Sequence, residues 1–265
     1  MARQPGGYGD YGTRAALYDK GRIENYPDWI SEILKRRIRV MFDRQPERKA
    51  RVLDVACGTG IGTRDLYEDE FTDVVGVDID ERMVAVANRR AGGPKYKVSS
   101  IADLDFPDKS FDMITTFGGL SWFHDDINAL RNIQRMLGVC GIFVAIDEQN
   151  LEDNEIRETI ERHIEGPMLW KANGCDPEGV FRAGKFRSVE FYAKEHTEGM
   201  EVWRAVDYCL AASLINLVPP AKIPALRRDF YSLCGKRAGG PQQLVYWNFR
   251  FSLAIGMKFM PPLFD

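Results

Sequence analysis

No run of apolar residues in this sequence is long enough to cross a bilayer. A spanning helix needs about 20 apolar residues, whereas the most apolar stretch, Leu210 to Val218, carries Ser213 and Asn216 and stops at Pro219-Pro220. The opening residues Met1-Ala2-Arg3-Gln4-Pro5-Gly6-Gly7 lack the apolar core of a secretory signal. An excess of one charge is also missing. Lys and Arg total 36 against 39 Asp and Glu, a net charge of −3, which offers no broad attraction to nucleic acid or an anionic membrane. Neither is expected as a partner. The five cysteines (Cys57, Cys140, Cys175, Cys209 and Cys234) are scattered and show no paired metal-type spacing. They are expected to be reduced thiols filling small apolar spaces in a cytoplasmic protein, with no metal bound. Internal repeats are absent, as is low complexity beyond the first dozen residues.

What is present is a strong alternation of elements. Hydrophobic residues make up 45% and charged residues 28% of 265 positions, which suits one α/β domain or a core with an inserted lid. A helix is expected from Pro27, with Ile30, Ile33, Leu34, Ile38 and Met41 on one face. A first strand follows at Arg51 to Ala56. Short β-branched runs come next at Val74–Val77, Tyr96–Val98, Met113–Phe117 and Ile142–Ile146. Helical stretches stand between most of them, at Gly62–Tyr67, Glu81–Arg90 and Ile127–Leu137, the last beside the capping candidates Asp125 and Asp126. Strands alternating with helices imply a parallel sheet covered on both faces. After Asn150 the rhythm changes: a charged helix over Glu152–Ile164, a loop over Gly166–Gly179, a strand at Ser188–Ala193, a long helix over Met200–Leu217, another from Pro224, and a last strand at Leu244–Ile255.

The chemistry concentrates in Val52-Leu53-Asp54-Val55-Ala56-Cys57-Gly58-Thr59-Gly60-Ile61-Gly62. A buried strand ends at glycines, where a ligand can approach the backbone, and a helix follows. A dinucleotide loop wants a third glycine three positions after the second, but Thr63 stands there and Gly62 comes one residue early. Asp54 disfavours a pyrophosphate and suits a ligand carrying positive charge. The next strand, Val74-Val75-Gly76-Val77-Asp78, ends in an acid 20 residues after Gly58, placed to accept hydrogen bonds from both hydroxyls of a ribose. The competing role for Asp78 is a cap on the helix starting near Glu81. Ile79 offers an apolar face to an adenine.

From roughly Tyr18 to Asp147 these residues resemble the class I S-adenosylmethionine-dependent methyltransferases. Val52–Gly60 looks like that family's first motif, with Ala56 where glycine is usual. Val77-Asp78-Ile79-Asp80 with Met83 looks like the ribose and adenine motif. Leu104–Asp112 resembles the approach to the fourth strand, and Met136–Gly141 the turn into the fifth. Phe117-Gly118-Gly119-Leu120-Ser121-Trp122-Phe123-His124-Asp125 is similar to small-molecule methyltransferases of the trans-aconitate and ubiquinone/menaquinone type. So is Tyr18-Asp19-Lys20-Gly21-Arg22 followed by Tyr26-Pro27, which folds over the cofactor in those proteins.

The resemblance implies a Rossmann-like fold: a seven-stranded, mostly parallel sheet with helices on both faces, an antiparallel last strand and a lid in the C-terminal half. Its segments are a cap over 1–26, a cofactor-binding core over 27–150, a lid and acceptor region with one core strand over 151–240, and a final strand and tail over 241–265. The implied cofactor is S-adenosyl-L-methionine, leaving as S-adenosylhomocysteine. Asp54, Ala56, Gly58 and Gly60 would form its turn, and Asp78, Ile79 and Met83 its ribose and adenine contacts. Ser100 and Ile101 would follow on the adenine, with Asp103 as the rival to Ser100. Tyr18, Arg22, Phe117 and Trp122 would complete the site.

An activated methyl group needs chiefly an aligned acceptor, while a neutral hydroxyl, amine or carbon acid also benefits from a base. His124 is the candidate base, or else a surface residue opening the next helix; Tyr18 could orient the acceptor. Trp170, Phe181, Phe186, Trp203 and Tyr208 stand as possible walls of the acceptor pocket or as packing residues. The expected activity is methyl transfer to a small organic molecule. The alternatives are a cofactor-binding protein on the same fold without methyl transfer, an NAD-dependent oxidoreductase and a nucleic-acid methyltransferase.

Overall fold

A computed structural model describes residues 11–22, 25–43, 48–68, 71, 73–90, 92–165, 175–239 and 242–258. In chain order the helices and strands are α1 (Ala15–Gly21), α2 (Asp28–Met41), β1 (Arg51–Val55), α3 (Ile61–Glu68), β2 (Asp73–Asp78), α4 (Glu81–Ala87), β3 (Lys95–Val98), β4 (Phe111–Phe117), α5 (Ile127–Met136) and β5 (Leu137–Asn150). There follow α6 (Asp153–Glu161), α7 (Pro177–Ala183), β6 (Arg187–Met200), α8 (Val202–Leu210), α9 (Ile223–Arg237) and β7 (Val245–Met257). The strands form a seven-stranded sheet in the order β3-β2-β1-β4-β5-β7-β6. From β3 to β5 every pairing is parallel. The last strand runs the other way: Lys258 N donates to Gly141 O and Leu151 N to Asn248 O, so residue numbers fall along β7 as they rise along β5. The mostly parallel, Rossmann-like α/β fold is therefore present.

Local chemistry explains several boundaries. Asp126 accepts from the Asn128 and Ala129 amides and caps α5. Asp80 accepts from Arg82 N and caps α4, so the capping role weighed for Asp78 falls to its neighbour. The amphipathic helix α2 buries Ile30, Leu34 and Ile38.

Four expectations are corrected. The turn expected at Met136–Gly141 is already strand, since Leu137 pairs with Phe111, and the extra residues before Ile142 form a bulge in the pairing. Strand β6 runs on from Ala193 to Met200. Its polar residues hid it because they face solvent and bond sideways, Thr197 to Asn248 and Glu195 to Arg250. The helix expected over Met200–Leu217 stops at Leu210, and a 3-10 turn over Ser213–Leu217 follows. Breaking the helix lets Leu210, Leu214, Ile215 and Val218 all become buried. Part of the expected loop near Gly179 is helix α7, opened by Pro177 and burying Val180 and Phe181.

The chain divides into two compact units. The larger comprises Asn25–Asp147, Asn173–Ala193 and Ser252–Asp265; the smaller comprises Met1–Glu24, Glu148–Ala172 and Lys194–Phe251. The larger unit holds a continuous core of Leu53, Val55, Ile114, Leu130, Ile133 and Phe143, onto which Phe181 and Phe186 stack. These two aromatics are core residues. In the smaller unit Tyr208, Trp247, Phe249 and Phe251 form an aromatic cluster, and Trp203 is exposed. Trp170 lies outside the described residues. No described helix is long and apolar enough to cross a membrane.

Candidate functional site

The turn after β1 is built from three left-handed residues at alternate positions: Ala56 (φ 54°), Gly58 (φ 57°) and Gly60 (φ 79°). For an L-residue such as Ala56 that conformation costs about 1–2 kcal/mol. Gly119 compensates sterically, because a Cβ there would stand 2.8 Å from the Ala56 methyl and 2.3 Å from Thr116 Oγ1. The alanine in the turn and the glycine after β4 are thus a matched pair. Hydrogen bonds fix the path: Cys57 N to Val77 O, Gly60 N to Cys57 O, and Arg64 N to Gly60 O at the start of α3.

The two acids have different surroundings. Asp54 was expected to face a cationic ligand, yet only 1% of it is exposed. Its Oδ2 accepts from Thr63 Oγ1 at 2.6 Å and its Oδ1 from Thr115 Oγ1 at 3.0 Å. Burial, reinforced by the nearby Asp78 charge, pushes its carboxyl up to about 7 against the lowering effect of the two hydroxyls. Asp54 therefore braces β1 against α3 and β4 from beneath the turn. Asp78 ties the turn to the end of β2. Its Oδ2 accepts from Gly58 N and its Oδ1 from Asp80 N, each at 2.9 Å. Those two backbone bonds fix the orientation of the carboxylate at the strand end.

Ile79 follows with 59% of its surface exposed, unusual for an isoleucine beside a buried acid and suited to an apolar ligand face. Met83 is buried, its Cε 3.2 Å from where a Gly58 Cβ would lie, and so supports the turn from α4. Ser100 Oγ accepts from Ala102 N and opens a 3-10 turn over Ile101–Asp103. Ile101 is half-buried against the core and Asp103 is exposed. Asn132 holds this segment, its amide donating to the Ile101 and Leu104 carbonyls at 2.8 and 2.9 Å.

At the end of β4, the Phe117 ring packs against Tyr26 at a tilt of 57°, ring centroids 4.7 Å apart. It also fills the space above Gly62, where a Cβ would meet its ring at 2.3 Å. The early glycine is thus a packing requirement of Phe117. Gly118 (φ 64°) faces open space, and Trp122 is half-buried against the core. His124 Nδ1 lies 2.9 Å from the Ser121 carbonyl. A carbonyl only accepts, so Nδ1 carries a hydrogen, and in the neutral ring the lone pair is then on Nε2.

Tyr18 and Arg22 belong to the smaller unit. Arg22 donates to Glu148 Oε2 at 2.8 Å, with the Glu148 side chain 2% exposed, and its guanidinium lies over the Tyr18 ring. Nearby, Asn150 Nδ2 donates to the Tyr208 hydroxyl, and burial pushes that phenol well above its ordinary range.

The larger unit thus brings Ala56, Gly58, Gly60, Asp78 and Ile79 to the C-terminal ends of β1 and β2. It sets Ser100 and Ile101 after β3, and Phe117, Trp122 and His124 at and beyond the end of β4. Ligands of open α/β sheets bind beyond such strand ends. Sequence reasoning missed Thr63, Thr115, Tyr96, Asn132 and Glu148. Thr63 entered only as the glycine that was not there. The donor set fits an adenosyl ligand: strand-end Asp78 for ribose hydroxyls, exposed Ile79 beside it, and a turn with no side chain beyond Cβ at positions 56, 58 and 60.

A family model described as "Methyltransferase domain" matches residues 53–145. Demethylmenaquinone methyltransferase of Thermotoga maritima is 32% identical over 141 residues, covering 49% of this chain and 59% of that protein. Malonyl-[acyl-carrier protein] O-methyltransferase of Enterobacter lignolyticus is 27% identical over 123 residues, covering 46% and 49%. The chain spans about half the length of the curated relatives it matches. Among solved structures, the YcgJ protein of Bacillus subtilis shares the fold with a TM-score of 0.50 at 18% identity, over 86% of this chain and 100% of that one. Residues 53–145 of this chain are similar to the methyltransferase domain family.

Proposed function

We propose that this chain transfers a methyl group from S-adenosylmethionine to a small organic acceptor. One observation carries the reading: the Gly58 N to Asp78 Oδ2 bond joins the left-handed turn to an acid at a parallel strand end, directly beside exposed Ile79. Asp78 would hold the ribose hydroxyls and Ile79 one face of the adenine, with Ser100 or Asp103 and Ile101 at its edge. The backbone from Ala56 to Gly60 would take the amino-acid end. Asp54 and Met83 position that backbone, and Phe117 and Trp122 line the far side.

The bound cofactor supplies a methyl group already activated on a sulfonium sulfur, so the protein's work is to orient an acceptor and exclude water. His124 Nε2 is the acceptor-side base where the acceptor is a neutral hydroxyl, amine or carbon acid. The 151–240 segment is assigned to acceptor selection. The relatives' names support a small or carrier-borne acceptor, and the mild net negative charge argues against a polynucleotide. The free cysteines suit a reducing cytoplasm.

Titration calorimetry with S-adenosylhomocysteine tests the site. The wild type should bind and Asp78→Ala should lose at least a hundredfold in affinity while remaining folded; equal affinity would remove the ribose assignment. Release of S-adenosylhomocysteine from S-adenosylmethionine only when an acceptor is supplied separates a transferase from a protein that binds the cofactor without using it.

A further inference from the structure

The carbonyl oxygens from Cys57 to Gly60 each accept a hydrogen bond from within the protein. Cys57 O accepts from Gly60 N at 2.9 Å, and Gly58 O from Cys57 Sγ at 3.8 Å. Thr59 O accepts from Arg64 Nη1 at 2.6 Å. Gly60 O accepts twice, from Arg64 N at 2.9 Å and from the Tyr96 hydroxyl at 3.4 Å. Side chains from two elements therefore grip consecutive carbonyls, Arg64 from α3 and Tyr96 from β3. They are also joined to each other, because the guanidinium donates to the Tyr96 oxygen. Arg64 is only 9% exposed, an uncommon setting for a side chain whose charged end ordinarily stays in water. A guanidinium donor in so dry a place makes a strong and directional bond.

In a trans peptide the carbonyl and the following N–H point in opposite directions. Holding Gly60 O toward Tyr96 therefore turns Ile61 N–H away from β3. Gly60 is the residue at which the turn would relax most easily, since a glycine has the widest choice of backbone conformations. A carbonyl that swung out there would present an oxygen to the ligand and repel a carboxylate. We propose that Arg64 and Tyr96 are positioning residues for the ligand's amino-acid end: by holding the Thr59 and Gly60 carbonyls inward, they leave amide donors rather than oxygens to face its carboxylate. The proposal rests on the assignment of the Ala56–Gly60 backbone to that end of the cofactor. Both side chains act through the turn.

The test is calorimetry on the full chain with two ligands. S-Adenosylhomocysteine carries the amino-acid end, and 5′-deoxy-5′-methylthioadenosine has the same adenosine without it. Tyr96→Phe keeps the ring that packs over Gly60 and Gly76 and removes only the hydroxyl. It should lower S-adenosylhomocysteine affinity roughly three- to tenfold, the worth of one neutral hydrogen bond, and leave methylthioadenosine affinity within about twofold of wild type. Arg64→Met removes the charged donor and should cost S-adenosylhomocysteine on the order of ten- to a hundredfold, again sparing methylthioadenosine. Arg64→Lys keeps a charged donor and should recover part of that loss. Should Arg64→Met fail to fold, Tyr96→Phe decides alone, because its ring packing is intact. Equal losses with both ligands would mean that the pair only supports the fold. Unchanged S-adenosylhomocysteine affinity in Tyr96→Phe and Arg64→Met would mean that the carbonyls need no holding. Either result overturns the proposal and leaves the cofactor reading standing. Binding of neither ligand by the wild type overturns the cofactor reading, and the proposal falls with it.

Discussion

The Tyr96 hydroxyl donates to the Gly60 carbonyl at 3.4 Å, and its ring occupies the space where a side chain on Gly60 would stand, 2.4 to 2.7 Å from the Cβ position. The same ring closes over Gly76 of β2. Burial pushes the phenol up to about 12, so it stays a donor throughout the physiological range. Gly60→Ala meets two obstacles: a left-handed φ of 79°, costing about 1–2 kcal/mol, and a rigid ring, costing about 1–3 kcal/mol more. Urea unfolding should register a loss of about 2–5 kcal/mol. In a Tyr96→Ala background the same substitution should cost only the backbone part. Equal costs in both backgrounds would show that the ring is not the obstacle.

The Asp54 carboxyl makes stability depend on pH in an unusual direction. Below its ordinary value of 3.8 the group is protonated both folded and unfolded, and contributes nothing. Between 3.8 and about 7 the unfolded chain releases a proton that the folded chain keeps, so rising pH opposes folding, and the loss is complete above about 7. The full span corresponds to a loss on the order of 4 kcal/mol. Denaturant unfolding of the wild type and Asp54→Asn between pH 4.5 and 7.5 isolates this contribution. The wild type should lose stability relative to the variant as pH rises. A constant difference across that range would mean that the carboxyl ionises at its ordinary value in the fold.

The parts of this protein that were legible in its sequence are those set by local pattern. Val74–Val77, Met113–Phe117 and Ile142–Ile146 are strands because each is a short apolar, largely β-branched run, and Gly58 and Gly60 announce a turn because few other residues accept a left-handed φ. Asp78 was legible from its place at a strand end. Contacts between distant residues were not. Thr115 reaches Asp54 across 61 positions, Asn132 reaches back to Leu104, and Glu148 meets Arg22 across 126. The position of Asp54 could be read, but not its direction. A strand-end acid beside a glycine turn looks the same on paper whether it faces a ligand or two threonines. The length of β6 was hidden because an edge strand has no apolar alternation to display once it faces solvent.

The Ser121 carbonyl fixes the tautomer of His124, which makes a base role testable separately from binding. His124→Ala should lower turnover by roughly 10²–10⁴ with any acceptor that supports product formation, while S-adenosylhomocysteine affinity and thermal stability stay at wild-type values. The loss should be smallest for an acceptor already ionised at the assay pH, because no proton then has to be removed. Unchanged turnover with a neutral hydroxyl acceptor would leave His124 as part of the turn that opens α5.

Arg22 is tied to Glu148 in the fold, and that anchoring role is testable apart from any contact to the cofactor. The ion pair to Glu148 is 2.8 Å long and its carboxylate side is almost wholly buried. Removing one partner of a buried pair costs about 3–5 kcal/mol, because the remaining charge loses its compensation, whereas replacing both by apolar groups is often close to neutral. Arg22→Leu should therefore destabilise the chain by about 3 kcal/mol in urea unfolding, and Arg22→Leu combined with Glu148→Leu should recover most of that loss. Calorimetry on the same two variants completes the separation. If the guanidinium serves only as an anchor, the double variant binds S-adenosylhomocysteine like the wild type. If it also reaches the cofactor, affinity stays low in the double variant even though stability returns. A single variant as stable as the wild type would remove the anchor role altogether.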